Sequence, residues 1–121
     1  MKTKRVVFLM LALLVALAAL PWQRAAAGTR YYVMQGGTGN GTSWADASPN
    51  LKAIMDNASS GDEIWVAKGT YSPGGDVTDT FLLKQGLKVY GGFAGGETDL
   101  SARNWVSNVT TLNGNSTNWH V

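Results

Sequence analysis

The stretch GDEIWVAKGTY, residues 61–71, places an apolar run between two turn signals. Residues 64–67 are rich in β-branched and aromatic side chains, which predicts a short strand. The tripeptide at 60–62 predicts a turn into this strand, and Lys-Gly-Thr at 68–70 predicts a bend out of it. The segment therefore indicates one strand with a corner at each end.

Alternation along this strand predicts which side chains share a side. Successive residues of a strand face opposite sides, so Ile64 and Val66 share one side and Trp65 and Ala67 share the other.

Similar short runs recur along the chain, and they predict further strands at 30–34, 81–83, 87–90 and 109–112, with another beginning at 119–121. Val66, Val89 and Leu112 follow one another at intervals of 23 positions. A short strand that recurs every 20–50 residues is typical of a solenoid. A small β-sandwich with coincidental spacing is the alternative.

One helix is predicted between the first two strands. Ser48 is the candidate N-cap and Pro49 the first helical residue. An apolar stripe at i, i+3, i+4 and i+7 comprises Leu51, Ile54, Met55 and Ala58. Lys52, Asp56 and Asn57 lie on the other side of a helix of about three turns.

The N-terminus has the pattern of a secretory signal peptide. Basic residues precede an uncharged run at 6–20, and Ala-Ala-Ala at 25–27 supplies a cleavage site. The run is short for a membrane span, which needs about twenty residues. We therefore expect residues 1–27 to be removed, with an uncleaved anchor as the alternative, and no transmembrane segment to remain.

Charge and cysteine content narrow the classes of function. Beyond residue 27 the chain has six basic and eight acidic residues, a formal charge of −2, so nucleic acid is not an expected partner. There is no cysteine, which excludes a disulfide framework, a zinc ribbon and a thiol enzyme.

Three segments together resemble a known family. They are GTSWADASPNLKAIMDNASSGDEIWVAKGTY (41–71), LKVYGGFAGGETDLSARNW (87–105) and NVTTLNGN (108–115). In order and spacing they resemble the N-terminal region of secreted bacterial right-handed parallel β-helix proteins, which are pectin-lyase-like and adhesin-like repeat proteins.

The resemblance implies a mainly β fold, in which Ile64 and Val66 point into the coil and Trp65 and Ala67 point the other way. Residues 28–60 would form an N-terminal cap, made of a short strand, a Gly-rich loop and the amphipathic helix, and residues 61–121 the first β-helix coils. A cap is needed because an open solenoid end exposes unpaired backbone groups over an apolar core. Since the chain stops at Val121 inside a predicted strand, we expect a truncated protein whose partners are further coils of the same parent.

The functional expectation is an exported structural segment, secreted or at the cell surface of a bacterium, with no catalytic site and no cofactor. The alternatives are the non-catalytic start of a polysaccharide lyase or glycoside hydrolase, and a small carbohydrate-binding module. The lyases and hydrolases of the family carry their catalytic residues on central coils, so none can be transferred to this chain.

Candidate site residues are few. Trp44, Trp105 and Trp119 could stack on a polysaccharide, although large aromatics more often fill a core. Asp76 and Asp79 could contribute to a Ca²⁺ site but lack the other ligands.

Other polar features predict no chemistry. Asp62 and Glu63 are adjacent and indicate a solvated turn rather than a catalytic pair. His120 has no partner for a catalytic triad. The glycines of residues 36–41 fit no phosphate-binding motif and predict a flexible surface loop. Four Asn-x-Ser/Thr sequons, at Asn40, Asn57, Asn108 and Asn115, are expected to be unmodified in a bacterium.

Overall fold

The computed structural model describes residues 27–114, which form a small mixed structure with short strands and little helix. The elements in chain order are β1 (Arg30–Val33), α1 (Leu51–Asn57), β2 (Glu63–Ala67), β3 (Gly69–Tyr71), β4 (Lys88–Phe93), a 3₁₀ helix (Leu100–Ala102) and β5 (Thr110–Leu112). The signal-peptide prediction, Trp119, His120, the sequon at Asn115 and the strand predicted at 119–121 lie outside the described residues.

All strand pairs are parallel. One sheet has the order β1-β2-β4, and a second pairs β3 with β5. Because β3 follows β2 after a bend at Lys68, and β5 follows β4, the two sheets are built from successive passes of the chain. Parallel pairing is thus established, which is a coarser result than the predicted β-helix.

The interval of 23 positions is not the sequence separation between paired residues in these sheets. Val89 is the partner of Ile64, 25 positions away, and Leu112 is the partner of Tyr71, 41 positions away. The connections between passes differ in length, so equal spacing in the sequence did not correspond to stacking in space.

The predictions for the opening stretch hold on one face of β2. Ile64 and Val66 are buried in a cluster with Val33, Leu51 and Met55, and Ala58 and Tyr71 complete it. The turn before β2 has Gly61 at a φ of +92°, a conformation that favours glycine. Burial raises the pKa of Tyr71, although a backbone contact with Gln35 opposes that rise, and the Tyr71 hydroxyl donates to the Ala67 carbonyl at 2.9 Å.

The opposite face of β2 is also buried, which the alternation pattern did not predict. Trp65 and Ala67 are each 1% exposed. Trp65 stacks on Phe93 at 4.6 Å between ring centroids and meets Tyr32 edge-on at 6.0 Å. The central strand of this sheet is therefore apolar on both sides.

The helix is shorter than predicted and begins later. Asn50, not Ser48, is the N-cap, and its side chain accepts from the Ala53 N–H at 3.0 Å. Ser48 is instead 7% exposed and forms a parallel bridge with Val33. This backbone pairing holds residue 48 in an extended conformation, so the helix cannot start there. The apolar stripe is confirmed, with Leu51, Met55 and Ala58 buried and Ile54 packed against them.

One predicted strand is absent, and one strand was not predicted. Residues 81–83 pair with no described strand, although Phe81 packs against the core. Gly69–Tyr71 forms β3, where the composition predicted a bend and the start of a loop. The remaining strands, β1, β4 and β5, lie where the sequence placed them, with ends that differ by at most three residues.

Candidate functional site

The two edges of the three-stranded sheet differ. The outer edge of β1 is closed, and we call this side of the sheet the closed end. The outer edge of β1 is occupied by the loop before α1. Tyr32 N–H donates to Gly41 O at 2.8 Å, Ser48 N–H donates to Tyr32 O at 3.0 Å, and Met34 N–H donates to Ser48 O at 2.9 Å. Gly39 and Gly41 also bond across this loop, to Ala47 and Asp46. The predicted loop is present and mostly at the surface, but these bonds fix it as the cover of an edge strand.

Within residues 27–114, the opposite edge of the same sheet, at β4, is unpaired along the first half of that strand. Lys88 N–H donates to Asp62 O at 3.0 Å, so the backbone of residue 88 faces β2. Since successive backbone groups of a parallel strand point to alternate sides, the N–H and C=O of Val89 face away from β2. No described residue bonds to them there, which leaves an unpaired edge.

The second half of the β4 edge is covered by the chain that follows it. Asn104 N–H donates to Gly92 O at 2.8 Å, and Gly92 N–H donates to Thr110 Oγ1 at 3.1 Å. A Cβ on Gly92, which has a φ of +93°, would lie 3.0 Å from the Trp105 backbone. The free edge is therefore confined to the segment around Val89.

An apolar hollow adjoins this free edge. It has a volume of about 320 Å³ and lies between the two sheets. Its apolar wall comprises Met55, Val66, Phe81, Leu83, Val89 and Leu112. Met55 and Val66 are core residues, so the hollow is an exposed continuation of the core.

Exposed hydrophobic residues are concentrated in the later part of the described chain. Among the described residues, the large apolar side chains that are at least half exposed all follow residue 76, and they are Val77, Leu82, Leu83, Trp105, Val106, Val109 and Leu112. Two of them, Leu83 and Leu112, line the apolar hollow beside the unpaired strand edge. We define the open end as the Val89 edge together with the apolar hollow.

Asp62 is a structural residue rather than part of a solvated turn. Its side chain is buried, with the whole residue 7% exposed. One carboxylate oxygen accepts from Thr29 N–H and the other from Ser59 N–H, each at 2.8 Å. It thereby ties the chain before β1 and the end of α1 to the start of β2. Glu63 forms an ion pair with Arg30 at 3.3 Å, and the two carboxylates serve different partners.

The tryptophan candidates separate into two environments. The Trp44 ring packs against Tyr32 and Phe93, and its Nε1 donates to Glu97 O at 2.9 Å. These contacts assign Trp44 to the aromatic packing on the second face of the sheet. Trp105 is 66% exposed, and the Arg103 guanidinium lies near its ring.

The structure does not assemble a metal site around the aspartate candidates. Asp79 Oδ2 accepts from Asp76 N–H at 3.1 Å, and Asp79 N–H donates to Asp76 O at 3.0 Å, so the two residues close a local turn. Within residues 27–114, no group of three or more His, Asp or Glu side chains is placed to hold a metal ion.

Glu97 holds the loop that follows β4. Its carboxylate accepts from the backbone N–H groups of Ala94, Gly95 and Gly96 at 2.5, 3.0 and 3.1 Å. Burial by itself would raise the pKa of Glu97, but these N–H donors together lower it below its ordinary value of 4.5. No side-chain pattern indicates this role of Glu97, because the donors are backbone groups of small residues.

We expect Glu97→Gln to destabilise the chain by about 1 kcal/mol at pH 7, because an amide replaces one accepting oxygen with a donor. A depressed native pKa contributes stability above the unfolded pKa, and this contribution is lost as pH falls through the native value. The difference between wild type and Glu97→Gln should therefore shrink below about pH 4.5. Urea unfolding of both proteins at several pH values measures this difference in stability.

Asp99→Asn is the matched control for this series, since Asp99 makes no side-chain capping bond. Its stability should stay close to that of the wild type at pH 7. A loss at Asp99 equal to that at Glu97 would contradict a specific role for the three donors.

Comparison of the chain with protein-family models, curated proteins and solved structures gives no significant match. In the part of the chain that the structure describes, no helix has the length and apolar character needed to cross a bilayer.

Proposed function

We propose that this chain is the exported N-terminal cap and first coils of a right-handed parallel β-helix protein, secreted or at the cell surface of a bacterium. Its role is structural: it closes one end of the stack and offers the other end for continuation. The observation that carries the proposal is the asymmetry between the bonded outer edge of β1 and the unpaired edge at Val89.

The closed end has the properties that a cap requires. A solenoid end without a cap presents unpaired backbone groups and apolar core to solvent, which promotes aggregation. Here backbone bonds from Gly41 and Ser48 occupy the edge of β1, and α1 packs Leu51 and Met55 onto the same core. The resemblance of segments 41–71, 87–105 and 108–115 to the start of such proteins supports the same role.

The open end has the properties of a surface that another layer covers. β4 lies on β2 and β5 lies on β3 in the same order, so a further pass of chain would find a strand edge on each side of the apolar hollow. In solenoids each layer is stabilised by its neighbours, and the apolar side chains exposed here would become core. The partner in this proposal is therefore the next coil of the parent protein.

Amide hydrogen exchange tests whether the end is open. In the purified chain, the Val89 amide should exchange at least about tenfold faster than the neighbouring Lys88 amide, whose N–H is bonded to Asp62 O. Lys88 is the internal control, because both amides share one strand and one solvent. Equal protection of the two amides would mean that the end is already closed, and the proposal would fail.

Polysaccharide binding is a second candidate function, favoured by one observation. The Arg103 guanidinium lies 5.2 Å from the Tyr90 ring centroid and 5.4 Å from that of Trp105, whose ring is exposed. A cation beside an exposed aromatic ring suits a sugar that carries a carboxylate. Titration with acidic and neutral polysaccharides, followed by Trp fluorescence, should then give a change that Trp105→Ala abolishes. An unchanged signal would leave the structural role alone.

A further inference from the structure

The three paired strands carry matched side chains at each register position. Tyr31, Ile64 and Val89 occupy one position, and each belongs to the core cluster or packs against it. Tyr32, Trp65 and Tyr90 occupy the next position, which is aromatic in every strand. At these two positions, core-packing side chains therefore lie beside core-packing side chains, and aromatic side chains beside aromatic ones.

The position before these two is charged in every strand, and its sign alternates. Arg30 on β1 is the partner of Glu63 on β2, which in turn is the partner of Lys88 on β4. The first step of this charge column is an ion pair, with Arg30 Nε 3.3 Å from Glu63 Oε2. The order of charge from the closed end to the open end is positive, negative, positive.

Lys88 is the last member of the charge column and lies at the open end. It is exposed, and within residues 27–114 it forms no ion pair. Opposite charges directly across a strand pair stabilise it, whereas like charges destabilise it. The column therefore favours an acidic residue on whichever strand pairs with β4.

We propose that the open end selects its partner strand by charge: the next strand is parallel to β4, with an acidic residue opposite Lys88 and an aliphatic residue opposite Val89. This inference rests on the proposed function and specifies the partner that it requires. The occupant is a strand of the following coil of the same polypeptide.

A second copy of this chain does not meet the requirement. Stacking the closed end of one copy on the open end of another would bring Arg30 towards Lys88, and the outer edge of β1 is already bonded to Gly41 and Ser48. Two copies meeting open end to open end would supply no carboxylate, because β4 has the sequence KVYGGF. The charge column thus disfavours self-assembly and favours a distinct, acid-bearing strand.

A tethered strand tests the proposal. The sequence EIWVA of β2, which already pairs with β4 from the other side, is fused to the C-terminus of the full chain through a Gly/Ser linker of about 20 residues, which spans about 25 Å on average. A second fusion carries KIWVA instead. Tethering gives a millimolar effective concentration, so a weak pairing is detectable.

The two tails are compared by thermal melting in the native chain and in the Lys88→Glu chain. In the native chain, the fusion with the Glu tail should melt about 4 °C above the fusion with the Lys tail. In the Lys88→Glu chain, the order of the two melting temperatures should reverse. Lys68→Glu is the matched control, because Lys68 is an exposed lysine at the corner between β2 and β3. It should leave the native order unchanged.

Amide exchange in the same fusions locates the contact. The Glu tail should protect the Val89 amide in the native chain, and the Lys tail should not. If the order of melting fails to reverse in Lys88→Glu, or if neither tail protects Val89, charge selection is wrong. Amide exchange in the untailed chain distinguishes the two proposals. If the Val89 amide is already protected there, the proposed function is wrong. If that amide is unprotected and the fusions show no charge preference, only this inference is wrong.

Discussion

Val66→Asp should abolish cooperative folding of this chain. Val66 is 1% exposed, lies on the central strand β2, and is the register partner of Val33, which is fully buried. A carboxylate there would have no partner, and burying an unpaired charge costs several kcal/mol beyond the roughly 2 kcal/mol lost with the valine. A domain of this size has about 5–15 kcal/mol of stability in total, so most of it would be lost.

Far-UV circular dichroism and a thermal melt measure this effect. Val106→Asp is the matched control, because the same substitution is made where the valine is 78% exposed. The control should keep the wild-type spectrum and melt within a few degrees of it. A cooperative melt for Val66→Asp close to that of Val106→Asp would show that residue 66 does not face the core.

Trp65→Ala should lower the free energy of unfolding by about 3–5 kcal/mol, the next largest loss after Val66→Asp. The indole stacks on Phe93 with an interplanar angle of 11°, and the Arg30 guanidinium lies 4.0 Å from the Trp65 ring centroid. Its Nε1 also donates to Glu63 Oε2 at 3.3 Å. The substitution therefore removes the centre of the second apolar face of β2 and one contact of the Arg30–Glu63 pair.

Urea unfolding of Trp65→Ala and Trp105→Ala makes the comparison. Trp105 is 66% exposed, so its removal should cost about 1 kcal/mol or less. Equal losses at the two positions would contradict the division between a buried aromatic face and an exposed tryptophan.

The direction of the β2 side chains could be predicted because alternation is a property of any strand. What alternation could not give was the burial of the second face. That face is covered by Phe93, and Trp44 and Tyr32 extend the aromatic packing from distant parts of the chain. Trp65 was therefore correctly placed on the side away from Ile64 and Val66, but its environment was not foreseen.

Asp62 and Glu97 illustrate a second limit. Both carboxylates accept from backbone N–H groups, and any residue but proline supplies such a donor. No side-chain pattern marks these interactions in advance. The solvated-turn interpretation of Asp62 failed for this reason, although the turn itself was correctly located.

By itself, the sequence determined the local elements: the amphipathic stripe of α1, the strands around Ile64, Val89 and Thr111, and the turns at Gly61 and Lys68. These follow from side-chain periodicity and from backbone preferences, which act over a few residues. Only the tertiary structure decided the register, the closed edge of β1 and the free edge at Val89. Register depends on contacts between residues 25 to 41 positions apart, and the lengths of the connecting loops set those contacts without leaving a periodic signal.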